Sequence, residues 1–464
     1  MSDSRDSAAS VTFLSKAHPP PGFACWWARQ PAGLRRATRS IGWLGLEQAV
    51  RMLTGLAVGI YVARHLGPDG YGVIGYATAL MLVGSALSRM GLAEIVTRDL
   101  VRDPAACDLV LGSAFLLRLW GGLLAYGALL LYGLHAAMDS QTRLAVLIIG
   151  AGVLAQPFDM AGAWFHARQR LAYTALARLT GVLVTAALRI GFVATDKPLL
   201  WFAWPVVAEI AIGAALILAA YTRVAGNPLR WRAGWRTLRA LLAAALPLTL
   251  AIATNELSLR LPQVLLMHWA TTADVGYYAA ATRLSEALYL LPVIACTALF
   301  PAVVRAHASG PQVYARRMEA LYGVLLWGGL AVALPLSLLA PWLIRQLFGA
   351  DYAPAAEVLS IHAWSLPLVG LGVARARTLI AEGLTRFNLI AAAVTLTCSL
   401  LLAWWLIPAF GAVGAAWAGV LPRLIGAVAI NFLFAPTRPQ GVVMLRALWF
   451  PWRLPAYLRA RRSA

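Results

Sequence analysis

Seven arginines stand inside stretches apolar enough to cross a membrane: Arg51, Arg89, Arg118, Arg178, Arg189, Arg260 and Arg283. A guanidinium in hydrocarbon is costly, so such a residue faces a partner or a wet cavity. It stays protonated and can fork two hydrogen bonds onto a phosphate or a carboxylate. A set of them inside a membrane therefore suits a path for something anionic.

Spacing sorts these arginines. Glu47 and Arg51 stand at i,i+4, as do Glu94 and Arg98, and Glu256 and Arg260; Arg283 and Glu286 stand at i,i+3. Such pairs share a helix face and lower the cost of burial. Arg118, Arg178 and Arg189 have no carboxylate within reach on their own helix. They are the stronger candidates for a ligand, the alternative being that they snorkel or pair across helices. Arg178 and Arg189 are about three turns apart and share a face. With Arg51 and Arg118 they can form the cationic wall of a cavity. Glu209 is a carboxylate with no helical partner; it either pairs with an arginine of a neighbouring helix or carries a coupling proton.

The elements that position these residues are membrane spans. Of 464 residues, 61% are hydrophobic and 12% charged, and mean hydropathy is +0.71. Soluble domains lie near about 45–50% apolar and about 25% charged. The apolar runs are continuous, which favours helices over the alternating strands of a barrel. They read as about twelve spans: 41–63, 71–95, 108–133, 144–165, 171–194, 199–221, 240–269, 277–302, 318–343, 357–381, 389–407 and 412–434. The seventh contains Pro247 and Pro262 and is expected to bend or break. Residues 1–40 lack the apolar core of a signal peptide and are expected to form a partly disordered tail, with Trp26 and Trp27 at the membrane surface.

The net charge of +20 does not point to nucleic acid, because the basic residues sit in short loops between apolar runs. One side of the membrane receives Arg29 to Arg39, Arg98, Arg102, Arg168, Arg170, the arginines of 222–239, then Arg305, Arg316, Arg317, Arg386 and the tail arginines from Arg438 to Arg462. The other receives Arg64, Arg143, Lys197 and Arg345. This asymmetry predicts an inner-membrane protein with both termini in the cytoplasm. Residues 435–464 read as a basic, aromatic tail suited either to a lipid surface or to solvent. The four cysteines and seven histidines show no metal spacing. No nucleophile elbow or phosphate loop occurs, so catalytic residues, metal and cofactor are all expected to be absent.

Two halves of the chain share landmarks. Glu47/Arg51 correspond to Glu256/Arg260, Gly70-Tyr71-Gly72 to Gly276-Tyr277-Tyr278, and Val96-Thr97-Arg98 to Val303-Val304-Arg305, at offsets of 209, 206 and 207 residues. Six spans per half is an even number, so the repeat is parallel: lobes 41–221 and 240–434 joined by a basic linker, 222–239. Such repeats belong to alternating-access transporters with a site between the lobes.

The loop landmarks carry a resemblance. Ala63-Arg64-His65-Leu66-Gly67-Pro68-Asp69-Gly70-Tyr71-Gly72, Gly276-Tyr277-Tyr278-Ala279-Ala280-Ala281-Thr282-Arg283-Leu284, Leu299-Phe300-Pro301-Ala302, Leu347-Phe348-Gly349-Ala350-Asp351-Tyr352 and Ile407-Pro408-Ala409-Phe410-Gly411-Ala412 occur in order along the chain. They resemble motifs of the Wzx-type oligosaccharide flippases of the MOP superfamily. The resemblance implies an all-α protein of two six-helix lobes. It implies movement of an undecaprenyl-diphosphate-linked glycan from the cytoplasmic to the periplasmic leaflet, for O antigen, capsule or exopolysaccharide. Polymerase and glycosyltransferase partners follow from it, as does coupling to H+, Na+ or the membrane potential. In this setting Arg51, Arg118, Arg178, Arg189, Arg260 and Arg283 are the expected cargo residues, and Glu47, Glu209 and Glu256 the ion-pair or coupling carboxylates. The family often carries an acid in an Arg-Ile-Asp-Gln-like pattern; here Arg260-Leu261-Pro262-Gln263 puts proline in that place, leaving Glu256, one turn earlier, to substitute. The competing readings are a MATE-like multidrug antiporter, whose cavity should be acidic, a membrane glycosyltransferase or polymerase, which needs a catalytic base and a large loop, and a scaffold of a polysaccharide-export complex.

Overall fold

The computed structural model describes residues 32–307 and 310–452. The expectations for residues 1–31 and for the end of the basic tail, 453–464, fall outside them. Ten helical stretches are long and apolar enough to cross a membrane. Two of these, Gly45–Arg102 and Thr385–Phe432, are long enough to cross twice. Each is broken at a glycine off helical geometry: Gly67 (φ 68°, ψ 177°) and Gly411 (φ 51°, ψ −128°). Twelve crossings result among the described residues, as the apolar runs predicted.

In chain order the α-helices are α1 (Ala32–Arg89, crossings one and two), α2 (Leu92–Arg102), α3 (Cys107–His135), α4 (Ser140–Gly150), α5 (Ala161–Ala167), α6 (Leu171–Ala194), α7 (Trp204–Val224) and α8 (Trp235–Trp269). There follow α9 (Thr272–Ala287), α10 (Leu290–His307), α11 (Pro311–Leu338), α12 (Ala340–Phe348), α13 (Ala355–His362), α14 (Ser365–Ala381), α15 (Thr385–Ala427, crossings eleven and twelve) and α16 (Arg438–Arg446). Crossing four is the composite of α4, a 3-10 stretch Ala151–Met160 and α5.

The first six crossings pack on one another, as do the last six. The two sets meet chiefly where α1 lies against α8 and α9. Apolar packing differs between the two ends of the bundle. At the end away from the basic loops, one core runs through both lobes, from Val58, Tyr71 and Tyr76 to Leu266, Tyr278, Tyr352 and Ala415. At the basic end there are two cores. One holds Leu92, Leu111, Phe165 and Ile217 with Leu241 and Ala245 of α8; the other holds Cys296, Tyr322, Leu371 and Met444. One core thus fuses the lobes at one end, and at the other the first lobe's core reaches the second lobe through α8.

The seventh crossing, expected to bend or break at its prolines, does not break: Trp235–Trp269 is one helix with Pro247 and Pro262 inside it. In hydrocarbon a broken helix exposes more unpaired backbone than a proline does, so the helix persists. The first helix begins at Ala32, inside the expected tail. The basic tail, as far as it is described, docks on the second lobe: Trp327 donates its indole N–H to the Ala447 carbonyl at 3.2 Å, and Phe450 covers Gly323. Trp449 and Trp452 remain exposed.

Gly67 reverses the chain between crossings one and two. Nothing lies within 4 Å of where its Cβ would be, so alanine there meets only backbone strain. Gly67→Ala is expected to cost about 1–3 kcal/mol, read as a lower midpoint of thermal unfolding in detergent.

Candidate functional site

A cavity of about 790 Å³ lies within the first lobe and along its junction with α8 and α9. It runs from Val62 and Tyr71, beneath the fused end, to Gly91 and Glu94 at the basic end. Six arginines line it: Arg51, Arg89, Arg118, Arg178, Arg189 and Arg283. Five carboxylates join them: Glu47, Glu94, Asp159, Glu209 and Glu256. Arg260 does not line the cavity; its Nη1 donates to Glu286 Oε2 at 3.1 Å within the second lobe.

At mid-depth Arg51 holds two acids. Its Nη2 and Nε donate to Glu47 Oε1 at 2.8 and 3.1 Å, and its Nη1 to Glu209 Oε1 at 3.1 Å. Glu209 Oε2 lies 3.6 Å from Arg189 Nη2. Glu209 therefore ties crossing one to crossing five from its place on crossing six. Nearer the basic end Arg178 Nη2 donates to Asp159 Oδ2 at 3.0 Å, and Arg89 Nη2 lies 3.9 Å from Glu256 Oε1 across the lobe junction. Arg283 reaches from the second lobe and donates its Nε (3.1 Å) and Nη2 (2.5 Å) to the Gly55 carbonyl. Gly59 makes room for it: a Cβ there would stand 2.6 Å from the Arg283 Nε.

Arg118, like Arg283, has no acidic partner among the described residues, and it is the more deeply buried of the two. Arg118 is 4% exposed, and its Nε donates to the Arg89 carbonyl at 3.4 Å. A buried guanidinium without an acid, on a cavity wall, is a group held ready for an anion.

The division of arginines by helical spacing needs correcting. Arg178 and Arg189 do have acidic partners, on neighbouring helices. Of the expected i,i+4 and i,i+3 pairs only Glu47–Arg51 forms. Arg98 turns to Asp99 at 2.8 Å, Glu256 faces Arg89, and Glu286 takes Arg260 in place of Arg283. Inter-helix packing decides these partners, and a single-helix rule does not see it. Asp159 and Gln156 were missed altogether. Their signal was two polar residues beside Pro157 in an apolar run. The 3-10 geometry of Ala151–Met160 turns both into the cavity.

The fused end is built from the loop motifs. A Cβ on Gly276 would fall on the Pro68 carbonyl, and one on Gly72 on the Thr272 carbonyl. Tyr352 donates to the Ala63 carbonyl at 2.9 Å, and its ring meets Tyr71 and Tyr277 at centroid distances of 6.4 and 6.2 Å. Arg64 donates to the carbonyls of Gln346 and Leu347.

The sequence model described as polysaccharide biosynthesis protein matches residues 37–307, more than half of the chain. The chain belongs to this family. The resemblance read from the loop motifs is thereby borne out. No curated protein matches. Among solved structures, the lipid II flippase MurJ in an inward closed conformation is similar at a TM-score of 0.66 and 13% identity, over 90% of this chain and 93% of that one. A multidrug resistance MATE family transporter of the MOP superfamily is similar in its inward-facing conformation at a TM-score of 0.64 and 16% identity, over 86% and 99%. The outward-facing conformation of such a transporter gives a TM-score of 0.56 at 16% identity, over 87% and 95%. At these identities the likeness is one of fold, and this member of the family has the polytopic architecture of the MOP superfamily.

Proposed function

We propose that the protein is a transporter without catalytic residues, which flips an undecaprenyl-diphosphate-linked oligosaccharide from the cytoplasmic to the periplasmic leaflet by alternating access. The product feeds O antigen, capsule or exopolysaccharide, with glycosyltransferases supplying the cargo and a polymerase consuming it. The basic end faces the cytoplasm of an inner membrane, and both termini lie there. H+, Na+ or the membrane potential supplies the energy.

The observation that carries this reading is the charge arrangement of the cavity. The four carboxylates of its interior, Glu47, Asp159, Glu209 and Glu256, each lie against a guanidinium; Glu94 is exposed at the basic end. No interior acid is left to receive a cationic drug, whereas Arg118 is left to receive an anion. A diphosphate suits a guanidinium's paired donors. Membership of the polysaccharide biosynthesis family and a fold shared with a lipid II flippase support the same reading.

The test is reconstitution in proteoliposomes with a fluorescent lipid-linked oligosaccharide and, separately, with ethidium. Protein-dependent transfer of the lipid between leaflets without ethidium uptake is expected. Ethidium transport in exchange for protons, with no lipid transfer, would establish the drug-antiporter reading in its place.

A further inference from the structure

A groove of about 360 Å³ lies on the outside of the bundle, between crossings two and three of the first lobe and crossings seven and eleven of the second. No charged side chain lines it among the described residues. Gly84 and Ala125 are buried on its floor, while Leu87 and Leu250 stand exposed at its edge, so it opens sideways into hydrocarbon. Its two hydroxyls are already spent. Thr254 donates to the Leu250 carbonyl at 2.7 Å, and Tyr132 is bonded to Tyr76 and His268. The groove therefore presents only apolar surface. Along crossing two it runs from Leu80 to Leu87, about 10 Å at a rise of about 1.5 Å per residue.

The groove and the arginine cavity share a wall. On crossing two, Thr78, Leu82, Ser85 and Arg89 face the cavity, and Leu80, Gly84 and Leu87 face the groove. The two stripes are offset by two residues, about 200° around a helix, and so lie on opposite faces. On crossing seven Ile252 and Glu256 face the cavity, and Ala253 and Leu257 the groove. One layer of helix thus separates a charged chamber from an apolar one. That suits a molecule with a diphosphate at one end and a long hydrocarbon chain at the other. Resting on the cargo reading above, we propose that this groove seats the polyprenyl chain of the cargo while the diphosphate occupies the cavity, and that the molecule passes between crossings two and seven.

The join between these two helices is the one that can part. Beside crossing one the lobes lie backbone-close: a Cβ on Gly276 would fall on the Pro68 carbonyl, and Arg283 is held on the Gly55 carbonyl by two bonds. Beside crossing two the links are side chains. Arg89 Nη2 stands 3.9 Å from Glu256 Oε1, and Thr249 Oγ1 donates to the Met90 carbonyl at 3.1 Å. The helix is also interrupted there. Helix α1 ends at Arg89 and α2 begins at Leu92; Met90 and Gly91 between them take φ of 48° and 60°. A left-handed methionine is strained, and such strain belongs to segments that clamp or switch. Gly91 admits Leu248 of crossing seven, for a Cβ there would stand 2.5 Å from that side chain. Loss of one long ion pair and one hydrogen bond frees the join. Lipid chains are as apolar as the groove, so the groove guides by shape: it keeps the chain beside this join while the head group is inside.

Photolabelling of the full chain in lipid nanodiscs tests this. The probe is geranylgeranyl-diphospho-N-acetylglucosamine with a diazirine on its second isoprene unit. The control is a phosphatidylcholine with a diazirine in mid-chain. The diphosphate probe is expected to label segments 80–87, 125–132 and 250–257, and an excess of the same lipid without diazirine should cut that label several-fold. The phosphatidylcholine should label the lipid-facing helices all round. Ala128→Phe places a ring in the groove at an exposed position; the competable label should leave the three segments and lipid transfer should fall several-fold. Competable label confined to other crossings, or a distribution that matches that of phosphatidylcholine, overturns the inference and leaves the cargo reading standing. Label and transfer both unchanged in Ala128→Phe overturn it likewise. No competable label on any crossing overturns both. If Ala128→Phe does not fold, the wild-type labelling decides alone.

Discussion

Arg118→Ala is expected to abolish lipid transfer while leaving the protein at least as stable as the wild type. The two halves of this expectation come from one fact. Arg118 is buried on the cavity wall with no carboxylate partner and a single long bond to the Arg89 carbonyl. Removing it strands no acid and relieves a desolvated charge, so stability has little to lose. The cargo loses charge-assisted hydrogen bonds worth about 1.5–3 kcal/mol each, about 10- to 150-fold in affinity per bond. Arg178→Ala makes the contrast. It leaves Asp159 unpaired on the cavity wall, which costs about 1–3 kcal/mol, so both stability and transfer should fall. Adding Asp159→Ala should return much of the stability and none of the transfer. Arg118→Lys, which keeps the charge but not the fork, should retain part of the activity. The measurements are lipid transfer in proteoliposomes and thermal unfolding of the same preparations. Normal transfer by Arg118→Ala would take this residue out of the binding site.

Much of the architecture was legible in the chain, and the reason is specific to membranes. Hydrocarbon forces every span to be a continuous apolar helix, so twelve runs and the even count could be read by eye. The breaks at Gly67 and Gly411 coincide with loop motifs because only glycine accepts their backbone angles. The site was legible in part. Which arginines are buried follows from sequence, since each interrupts an apolar run. Which acid each arginine meets does not, because Arg178–Asp159, Arg189–Glu209 and Arg89–Glu256 are formed by helix rotation and by the 3-10 turn at Ala151–Met160. The repeat misled here too. Arg51 and Arg260 stand at matching places in the two halves, yet Arg51 lines the cavity and Arg260 is taken up by Glu286 inside its own lobe. The duplicated frame has kept its helices while its charges have diverged.

Gly276→Ala is expected to unseal the fused end of the bundle. Helix α9 lies so close to the turn after crossing one that a Cβ on Gly276 would fall on the Pro68 carbonyl. A backbone atom on each side leaves no flexible side chain to yield, so the helices must separate. The neighbouring contacts depend on the same approach: Gly72 against the Thr272 carbonyl, Tyr352 on the Ala63 carbonyl, and Arg64 on the carbonyls of Gln346 and Leu347. At the basic end the lobes share a smaller core, through Leu241 and Ala245 of α8, and the rest of the second lobe packs on its own. Closure at the far end is therefore the more extensive of the two apolar junctions between the lobes. Overpacking by one methyl costs about 1–3 kcal/mol, enough to move a two-state equilibrium by about 5- to 150-fold. Val73 is buried just inside this seal, at 6% exposure. A cysteine placed there should be shielded from a membrane-impermeant maleimide applied to that side in the otherwise wild-type chain, and should be labelled rapidly once Gly276→Ala is added. Lipid transfer should fall with it, because a carrier that cannot close one end cannot alternate. Unchanged labelling together with unchanged transfer would show that the glycine contact does not govern closure. Gly67→Ala serves as the control, for it strains the same turn without adding an atom to the interface.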